Sequence, residues 1–181
     1  MLRNLPIIVE ELVISELTLD DLDYLYGFSN LKEIKEFLPD RYETKEELKR
    51  TLEWLIGNYS KSSNEIIRIS LGIRLKAGNI MIGWITYGPL PYDEKLNEIA
   101  YAIHPAYWNK GYATMAGKAF LKWLSENTTN DEIFAEVNPQ NHSSIRVLEK
   151  LGMVKIKEDI RKKAGITEKV LIYKLQKYVS L

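Results

Sequence analysis

Hydrophobic residues occur along the chain in two kinds of pattern, which together predict twelve secondary-structure elements. Short runs rich in β-branched and aliphatic residues, bounded by turn residues, are typical of strands. Such runs predict strands at Leu12–Leu17, Ile66–Leu75, Ile80–Tyr87, Leu96–Ile103, Ile133–Val137, Met153–Ile160 and Val170–Tyr178. Apolar residues three or four positions apart predict helices at Leu19–Phe28, Leu31–Leu38, Thr44 to Gly57–Ser60, Gly111 to about Glu126, and His142–Leu151.

Capping and turn residues predict where several of these elements begin and end. Thr44 and Glu47 form a capping box, in which each side chain can bond the other residue's backbone N–H. Pro39 ends the second helix and Gly152 ends the fifth. The segment Gly88–Glu94 contains two prolines and is predicted to be a loop, because proline is not expected in a central strand. The order β-α-α-α-β-β-β-α-β-α-β-β predicts an α/β fold with a mixed sheet and helices on both faces.

The composition is that of an ordinary globular protein, and it excludes several kinds of chemistry. The chain has 181 residues, 45% of them hydrophobic, which predicts one domain over residues 1–181. It has no cysteine, so disulfides and cysteine-bound metals are excluded. Its 25 basic residues balance 25 acidic ones, and its two histidines lack zinc-ligand spacing, so neither nucleic acid nor a metal is expected. The absence of a long apolar run and of a signal-peptide pattern predicts a cytoplasmic protein with no membrane partner.

The stretch HPAYWNKGYATMA, which begins at His104, joins the fourth predicted strand to the fourth helix. A helix N-terminus exposes backbone N–H groups and carries partial positive charge, so it can bind a phosphate. Gly111 and Ala113 allow a ligand to approach the backbone closely, while Thr114 adds a hydroxyl donor and Lys110 a cation. Neither a Walker loop nor a Rossmann fingerprint fits, because each needs further glycines. By itself the turn is either an anion site or an ordinary strand-to-helix connection.

Two motifs in sequence order decide between these alternatives. The first is Trp-x-x-Gly-Tyr-Ala-Thr, which begins at Trp108 and follows a Glu-Ile-x-Tyr strand that begins at Glu98. The second is VNPQNHSSIRVLEKLGM, which begins at Val137. Together with the N-terminal LVISELTLDDLDYLYGF, they resemble the GNAT superfamily of N-acetyltransferases, in particular its RimJ/RimL-type branch, over essentially the whole chain. The resemblance implies a GNAT-like, mostly antiparallel central sheet whose fourth and fifth strands splay apart.

The resemblance also implies how acetyl-CoA, the acetyl donor and co-substrate, is bound. Its pyrophosphate would lie on the backbone amides of Asn109, Lys110, Gly111, Tyr112, Ala113 and Thr114. Trp108 stands where most of the superfamily has Gln or Arg, a replacement that looks normal for this branch and leaves the amides in place. The backbone near Tyr101 and Ile103 would bind the pantetheine arm. Asn141 would bind the pantetheine amides with its side chain, and it is also a natural N-cap.

The resemblance implies a general acid and a general base, and this chain lacks the usual residue for the acid. Many relatives have a tyrosine seven positions after the motif's asparagine, which protonates the departing thiolate, but this chain has Leu148 there. Ser144 is the nearest hydroxyl and the candidate general acid; its alternative role is to support the first turn of the helix. Glu98 is the candidate general base, acting through water on the attacking amine; its alternative is an exposed strand residue paired with a lysine.

The predicted function is transfer of an acetyl group from acetyl-CoA to a primary amine by direct attack. The acceptor is a protein or peptide N-terminal amine or a small-molecule amine. A cationic acceptor is favoured by acidic residues in the regions that would bind it, at Glu33, Glu36, Asp40, Asp93 and Glu94. The alternative is a non-catalytic acyl-CoA-binding sensor or interaction domain, which the leucine at position 148 would fit. The expected oligomeric state is a monomer or a homodimer.

Overall fold

The computed structural model describes residues 4–38, 44–60, 68–90, 93–128, 132–163 and 166–175. Within these residues lie eight strands and five α-helices. The strands are β1 (Ile7–Val9), β2 (Leu12–Glu16), β3 (Ile69–Leu75), β4 (Ile80–Leu90), β5 (Asp93–Ile103), β6 (Ile133–Val137), β7 (Met153–Lys163) and β8 (Ile166–Leu175). The helices are α1 (Leu22–Ser29), α2 (Lys32–Lys35), α3 (Lys45–Asn58), α4 (Tyr112–Asn127) and α5 (His142–Lys150).

The described strands form one sheet in the order β1-β2-β3-β4-β5-β6-β8-β7. Neighbouring strands are antiparallel, except that β5 and β6 run parallel. The parallel pair is connected through α4, since parallel strands need a crossover element between them. The predicted α/β fold with a mixed, mostly antiparallel sheet is confirmed.

Helices cover both faces of this sheet, as predicted. On one face α4 and α5 pack over strand residues such as Ile14 and Ile85, and Phe120 of α4 is fully buried there. On the other face α1, α2 and α3 pack over strand residues that include Met81 and Trp84. Because consecutive side chains of a strand point to opposite faces, β4 and β5 contribute to both cores, with Ile85 and Ile103 on the first face and Trp84 and Ala102 on the second.

The capping box predicted for α3 is present. The Glu47 N–H donates to Thr44 Oγ1 at 3.2 Å, and the Thr44 N–H donates to Glu47 Oε2 at 3.0 Å. The first predicted helix begins at Leu19 as expected, as a 3-10 turn over Leu19–Asp21, and continues as α1 to Ser29. The second is shorter than predicted, since α2 has only four residues. Pro39, the predicted stop of the second helix, lies outside the described residues.

Strand β1 is not predicted by the sequence pattern. It is three residues long and pairs with β2 at one edge of the sheet. Ile7 and Val9 pack against the core while Ile8 is exposed, an alternation too short to be recognised in the sequence. The turn to β2 puts Glu10 at φ 45°, a left-handed conformation that no glycine or asparagine at this position signals.

The predicted loop over Gly88–Glu94 is wrong. β4 continues to Leu90 and β5 begins at Asp93, and Pro89 is paired with Asn97 of β5. The ladder between β3 and β4 reaches only Tyr87. By the alternation of the ladder, the N–H that Pro89 lacks would point toward β3, beyond the last described rung at Tyr87, so proline removes no strand-to-strand hydrogen bond among the described residues.

The final hairpin is shifted from its predicted bounds. β7 extends past Ile160 to Lys163, and β8 already begins at Ile166. The charged residues near the hairpin tip favoured a turn in the sequence, but an edge strand tolerates charged side chains. Residues 66–67, 164–165 and 176–178, which the predicted strand ends and turn included, lie outside the described residues.

The splay between the fourth and fifth predicted strands, now β5 and β6, is present. The two strands pair at Asn97 with Ile133 and at Glu98 with Phe134. Beyond these rungs β5 continues to Ile103 and β6 to Val137, with no described ladder between them. The sheet therefore has a gap whose two sides are strand backbones.

Candidate active site

The gap between β5 and β6 opens into a cavity of about 540 Å³. Its wall is formed by β5, the start of α4, β6 and α5, with α2 on one side. Most of the predicted site residues line it: Tyr101, Ile103, Asn109, Gly111, Tyr112, Ala113, Thr114, Asn141 and Ser144. Among the described residues, the wall does not include Glu98 or Lys110. The structure thus brings the two sequence motifs together at one cavity.

The turn before α4 presents backbone N–H groups to this cavity. Gly111 is the N-cap of α4 and adopts φ 81°, and Asn109 adopts φ 61°, so two left-handed residues shape the turn. The first intrahelical bond is donated by the Met115 N–H to the Gly111 carbonyl at 3.0 Å. The N–H groups of the preceding first turn have no acceptor within the helix. Because a glycine cap has no side chain to accept from them, they are available to an anion.

Trp108 anchors the turn to the end of β5. Its indole Nε1–H donates to the Ile103 carbonyl at 2.5 Å, while 42% of the residue stays exposed. Next to it, the Lys110 ammonium lies 5.2 Å from the centre of the Tyr107 ring, a cation–π contact. Trp108 therefore has a structural role in a position where many relatives carry a polar side chain.

Strand β5 turns the backbone of Tyr101 and Ile103 toward the gap. The His104 N–H donates to the Ile82 carbonyl of the neighbouring strand at 2.8 Å. Since successive residues of an antiparallel strand point their N–H and C=O groups to opposite sides, the groups of Tyr101 and Ile103 point away from β4. One of them, the Ile103 carbonyl, already accepts from Trp108. The remaining groups form an edge on which an extended chain can bond.

Asn141 and Ser144 form the N-terminal cap of α5. The Ser144 N–H donates to Asn141 Oδ1 at 3.0 Å, so Asn141 has the capping role that the sequence allowed. Its Nδ2 amide is the group that would bond a pantetheine carbonyl. One turn further along α5, Leu148 lines the cavity with only 1% of its surface exposed. This apolar side chain cannot donate a proton.

The Tyr101 side chain is a feature that sequence reasoning missed. Its hydroxyl lies 3.0 Å from Ser144 Oγ and donates to the Ser144 carbonyl at 3.2 Å. Burial raises the pKa of the Tyr101 phenol to about 12, against a smaller opposing effect of the bond with Ser144. The sequence signal was the alternation of β5, which puts Tyr101 on the same face as Ile99 and Ile103, facing the helix that carries Ser144.

The carboxylate that the structure places in the wall is Glu136 and not Glu98. Glu98 lies at the last rung of the β5–β6 ladder, opposite Phe134, where the sheet is still closed. Glu136 of β6 lines the cavity, its side chain is 5% exposed, and its Oε1 accepts from Arg161 Nε at 2.9 Å. A single acidic residue inside the apolar run Ile133–Val137 was the available signal. It can be buried because Arg161 balances its charge.

The charges around the cavity are separated by sign. Arg146 and Lys150 of α5 line it on the face of the sheet that α4 and α5 cover. Glu33 of α2 lines it from the other face. Glu136 points to that same second face, since its neighbours Ala135 and Val137 belong to the core under α4 and α5. The cavity therefore offers cations and a helix N-terminus on one side and carboxylates on the other.

These features fit the acetyl donor implied by the resemblance. A turn of backbone N–H groups suits a pyrophosphate, and an open strand edge suits the amide-containing pantetheine arm. Within the described residues, no three His, Asp or Glu side chains lie together in a way that could hold a metal ion. No helix in the described part of the chain is long and apolar enough to cross a membrane.

Comparisons with known proteins identify the family of this chain. A model of the acetyltransferase (GNAT) domain matches residues 11–154. YnaD of Bacillus subtilis, named as an uncharacterized N-acetyltransferase, is 27% identical over 147 residues, which is 81% of each protein.

Two solved structures show the same fold at low sequence identity. Ribosomal-protein-S5-alanine acetyltransferase from Vibrio fischeri has a TM-score of 0.78 and 19% identity, over 92% of this chain and 93% of that one. Spermidine N-acetyltransferase from Vibrio cholerae, in complex with CoA and spermine, has a TM-score of 0.75 and 18% identity, over 91% and 95%. Because the family match spans most of the chain, this protein belongs to the GNAT acetyltransferase family and is an acetyl-CoA-dependent acyltransferase.

Proposed function

We propose that this enzyme acetylates a primary amine, either the N-terminal amine of a protein or peptide or a small-molecule amine, by direct attack on the acetyl-CoA thioester. The observation that carries the proposal is the gap between β5 and β6, which connects the N-terminus of α4 on one face with carboxylates on the other. A donor and an acceptor entering from opposite faces would meet at this gap. No cysteine is present to carry the acetyl group as a thioester intermediate.

The donor side is formed by the turn, the strand edge and α5. We assign the pyrophosphate to the backbone amides of residues 109–114, with Lys110 beside them although it lies outside the described wall. The backbone of Tyr101 and Ile103 and the side chain of Asn141 would bond the pantetheine arm. Arg146 and Lys150 are further cations of the wall that a CoA phosphate could reach.

The acceptor side is acidic, which favours a cationic amine. Glu33 is exposed at the wall and Glu136 is buried in it. The two solved neighbours are named for a ribosomal-protein alanine and for spermidine, both of which offer primary amines. Membership of the RimJ/RimL-type branch, a cytoplasmic location and a monomer or homodimer belong to this proposal as predictions.

Ser144 and Glu98 are proposed as general acid and general base. Ser144 lies in the wall, on the same side of α5 as Leu148, and can reach a departing thiolate. Glu98 lies outside the described wall, so its role requires a chain of water molecules. An unchanged pH–rate profile in Glu98→Gln would remove Glu98 from the mechanism.

The test is release of CoA thiol from acetyl-CoA in the presence of three amines: spermidine, a peptide with N-terminal alanine and a peptide with N-terminal serine. We expect release with at least one of them and a mass increase of one acetyl group on that amine. Binding of CoA without release for any of them would contradict the proposed acceptor class. Failure of millimolar acetyl-CoA to raise the Tm would contradict the donor assignment as well.

The acidic side can be tested separately with a pair of matched variants. Glu33→Gln should raise the KM for spermidine up to about fivefold with little change in kcat, because an exposed carboxylate contributes at most about 1 kcal/mol. The control is Glu53→Gln on α3. Glu53 makes a surface ion pair with Lys49 and is not one of the residues that line the cavity, so its replacement should leave the KM for spermidine unchanged. Equal KM values for both variants would mean that the acceptor does not approach α2.

A further inference from the structure

This chain has leucine at position 148, where the resemblance implies a tyrosine that protonates the departing thiolate. Leu148 is buried in the wall, and its side chain holds no exchangeable proton. A phenol nevertheless lies beside the same face of α5, since Ser144 and Leu148 are four residues apart and therefore neighbours on the helix surface. That phenol is Tyr101, which reaches the helix from strand β5.

The contact between Tyr101 and Ser144 joins the two sides of the donor site. Tyr101 belongs to the strand edge that faces the gap, and Ser144 to the first turn of the helix beyond it. Their oxygens are 3.0 Å apart, and the Tyr101 hydroxyl also reaches the Ser144 carbonyl at 3.2 Å. Turning the phenolic hydrogen from the carbonyl to Oγ makes Tyr101 a donor to the Ser144 hydroxyl. Ser144 is then free to direct its own hydrogen into the cavity.

The environment keeps the phenol protonated. Tyr101 is largely buried among residues of the core under α4 and α5, and burial holds its pKa at about 12. At neutral pH the group is therefore a hydrogen-bond donor and not a phenolate. The same cavity wall carries the cations Arg146 and Lys150, which favour negative charge developing in the gap.

We propose that Tyr101 and Ser144 act as one hydrogen-bonded pair, in which Ser144 donates its proton to the departing CoA thiolate and Tyr101 positions and resupplies Ser144. This inference rests on the proposed function and extends it. The amine nitrogen forms a bond to the acetyl carbon, the carbon–sulfur bond breaks, and its electron pair stays on sulfur. Sulfur takes the Ser144 proton, Ser144 takes the phenolic proton, and the phenolate is reprotonated through water by the proton that the amine loses. Ser144 is the catalytic residue and Tyr101 the positioning residue.

The first test follows bound CoA and needs no acceptor. Because the protein has no cysteine, CoA carries the thiol of the complex, and the ¹³C chemical shift of a labelled carbon bonded to its sulfur reports the ionisation of that thiol alone. A hydrogen bond to sulfur stabilises the thiolate, so the pKa of bound CoA should be lower in the wild type than in Tyr101→Phe or Ser144→Ala, by about one pH unit. Equal titration curves for all three proteins would overturn the proposal.

The second test is kinetic, with the amine that the wild type acetylates best. Tyr101→Phe should lower kcat on the order of 100-fold with the KM for acetyl-CoA unchanged. The double variant Tyr101→Phe/Ser144→Ala should be no slower than Ser144→Ala alone, because the two residues act as one unit. If the reduction of kcat in the double variant equalled the product of the two single reductions, Tyr101 would not act through Ser144.

Tyr24→Phe is the matched control for removal of a phenolic hydroxyl. Tyr24 Oη is buried, has no hydrogen-bond partner among the described residues and lies outside the described wall. The variant Tyr24→Phe should therefore leave kcat and the pKa of bound CoA unchanged. Measuring the Tm of every variant shows whether a loss of activity comes from a folding defect. A wild type without CoA binding would refute the proposed function itself, whereas an active wild type with an equally active Tyr101→Phe would refute only the pair.

Discussion

At the scale of single residues, conformation and local hydrogen bonds could be predicted, and distant partners could not. Gly111 was singled out as permissive, and it adopts the left-handed conformation that caps α4. Asn141 was recognised as an N-cap, which depends only on the residue three positions later. The bond between Tyr101 and Ser144 joins residues 43 positions apart, and only the packing of α5 against β5 creates it.

Gly111→Ala tests the left-handed turn. No described atom lies within 4 Å of a Cβ at Gly111, so the variant has no steric clash and the cost is conformational, about 1 to 2 kcal/mol. We expect a lower Tm and weaker acetyl-CoA binding, about tenfold by isothermal titration calorimetry, because the amides of the turn are displaced.

Gly57→Ala is the control for Gly111→Ala. Gly57 lies inside α3, and a Cβ there also meets no described atom. Alanine in a helix interior should stabilise the protein by roughly 0.5 to 1 kcal/mol and leave acetyl-CoA affinity unchanged. Wild-type affinity in Gly111→Ala would mean that the left-handed turn is not needed for the donor.

At the scale of elements, the start of the first helical segment is fixed to the sheet by a buried ion pair. The Asp21 carboxylate accepts from Arg74 of β3 at 2.6 and 2.7 Å, and it also accepts from the Thr18 N–H at 2.9 Å. The two charged side chains are only 10% and 12% exposed. Arg74 lies 53 residues from Asp21 in the sequence, so this pair depends on the tertiary structure.

Asp21→Asn should destabilise the protein by about 3 kcal/mol, because Arg74 is left as a buried charge without its carboxylate. Asp23→Asn is the matched control, since Asp23 is 81% exposed and its ion pair with Lys45 lies at the surface. That variant should change the free energy of unfolding by less than about 1 kcal/mol. Urea denaturation of both variants measures the difference, and equal losses would contradict a special role for the buried pair.

At the scale of the whole molecule, buried phenols make stability sensitive to high pH. Burial raises the pKa of Tyr24 and of Tyr101 to about 12, and burial also raises the pKa of Tyr59. In the unfolded chain a tyrosine titrates near pH 10, so the folded protein keeps these protons longer than the unfolded one. The contribution of these tyrosines to the free energy of unfolding is therefore fully present below about pH 10 and is lost as the pH rises toward about 12.

We expect the free energy of unfolding to fall by at least about 2 kcal/mol between pH 9 and pH 12, since Tyr101 alone supplies two pKa units. Urea unfolding at a series of pH values measures this loss. In Tyr24→Phe the free energy of unfolding should fall less over this pH range than it does in the wild type. Equal unfolding midpoints across this range would mean that these phenols ionise freely in the folded protein.

The order of the elements from β2 onward, the family and the two motifs that line the cavity follow from the sequence by itself. Each of these depends on patterns within short stretches: periodicity, capping, and glycine at a turn. They are local because backbone conformation is decided by a residue and its near neighbours. The prediction that residues 1–181 form one domain rests instead on chain length and composition, and it stays a prediction.

The tertiary structure decided which side chains share the cavity. It left Glu98 at a closed rung of the sheet, put Glu136 and Arg161 together in the wall, and brought the Tyr101 phenol to Ser144. It also put Pro89 in β4, paired with Asn97 of β5 and beyond the last described rung between β3 and β4. The physical reason is common to all of them: strand register and helix packing set distances between residues far apart in sequence, and no local pattern encodes those distances.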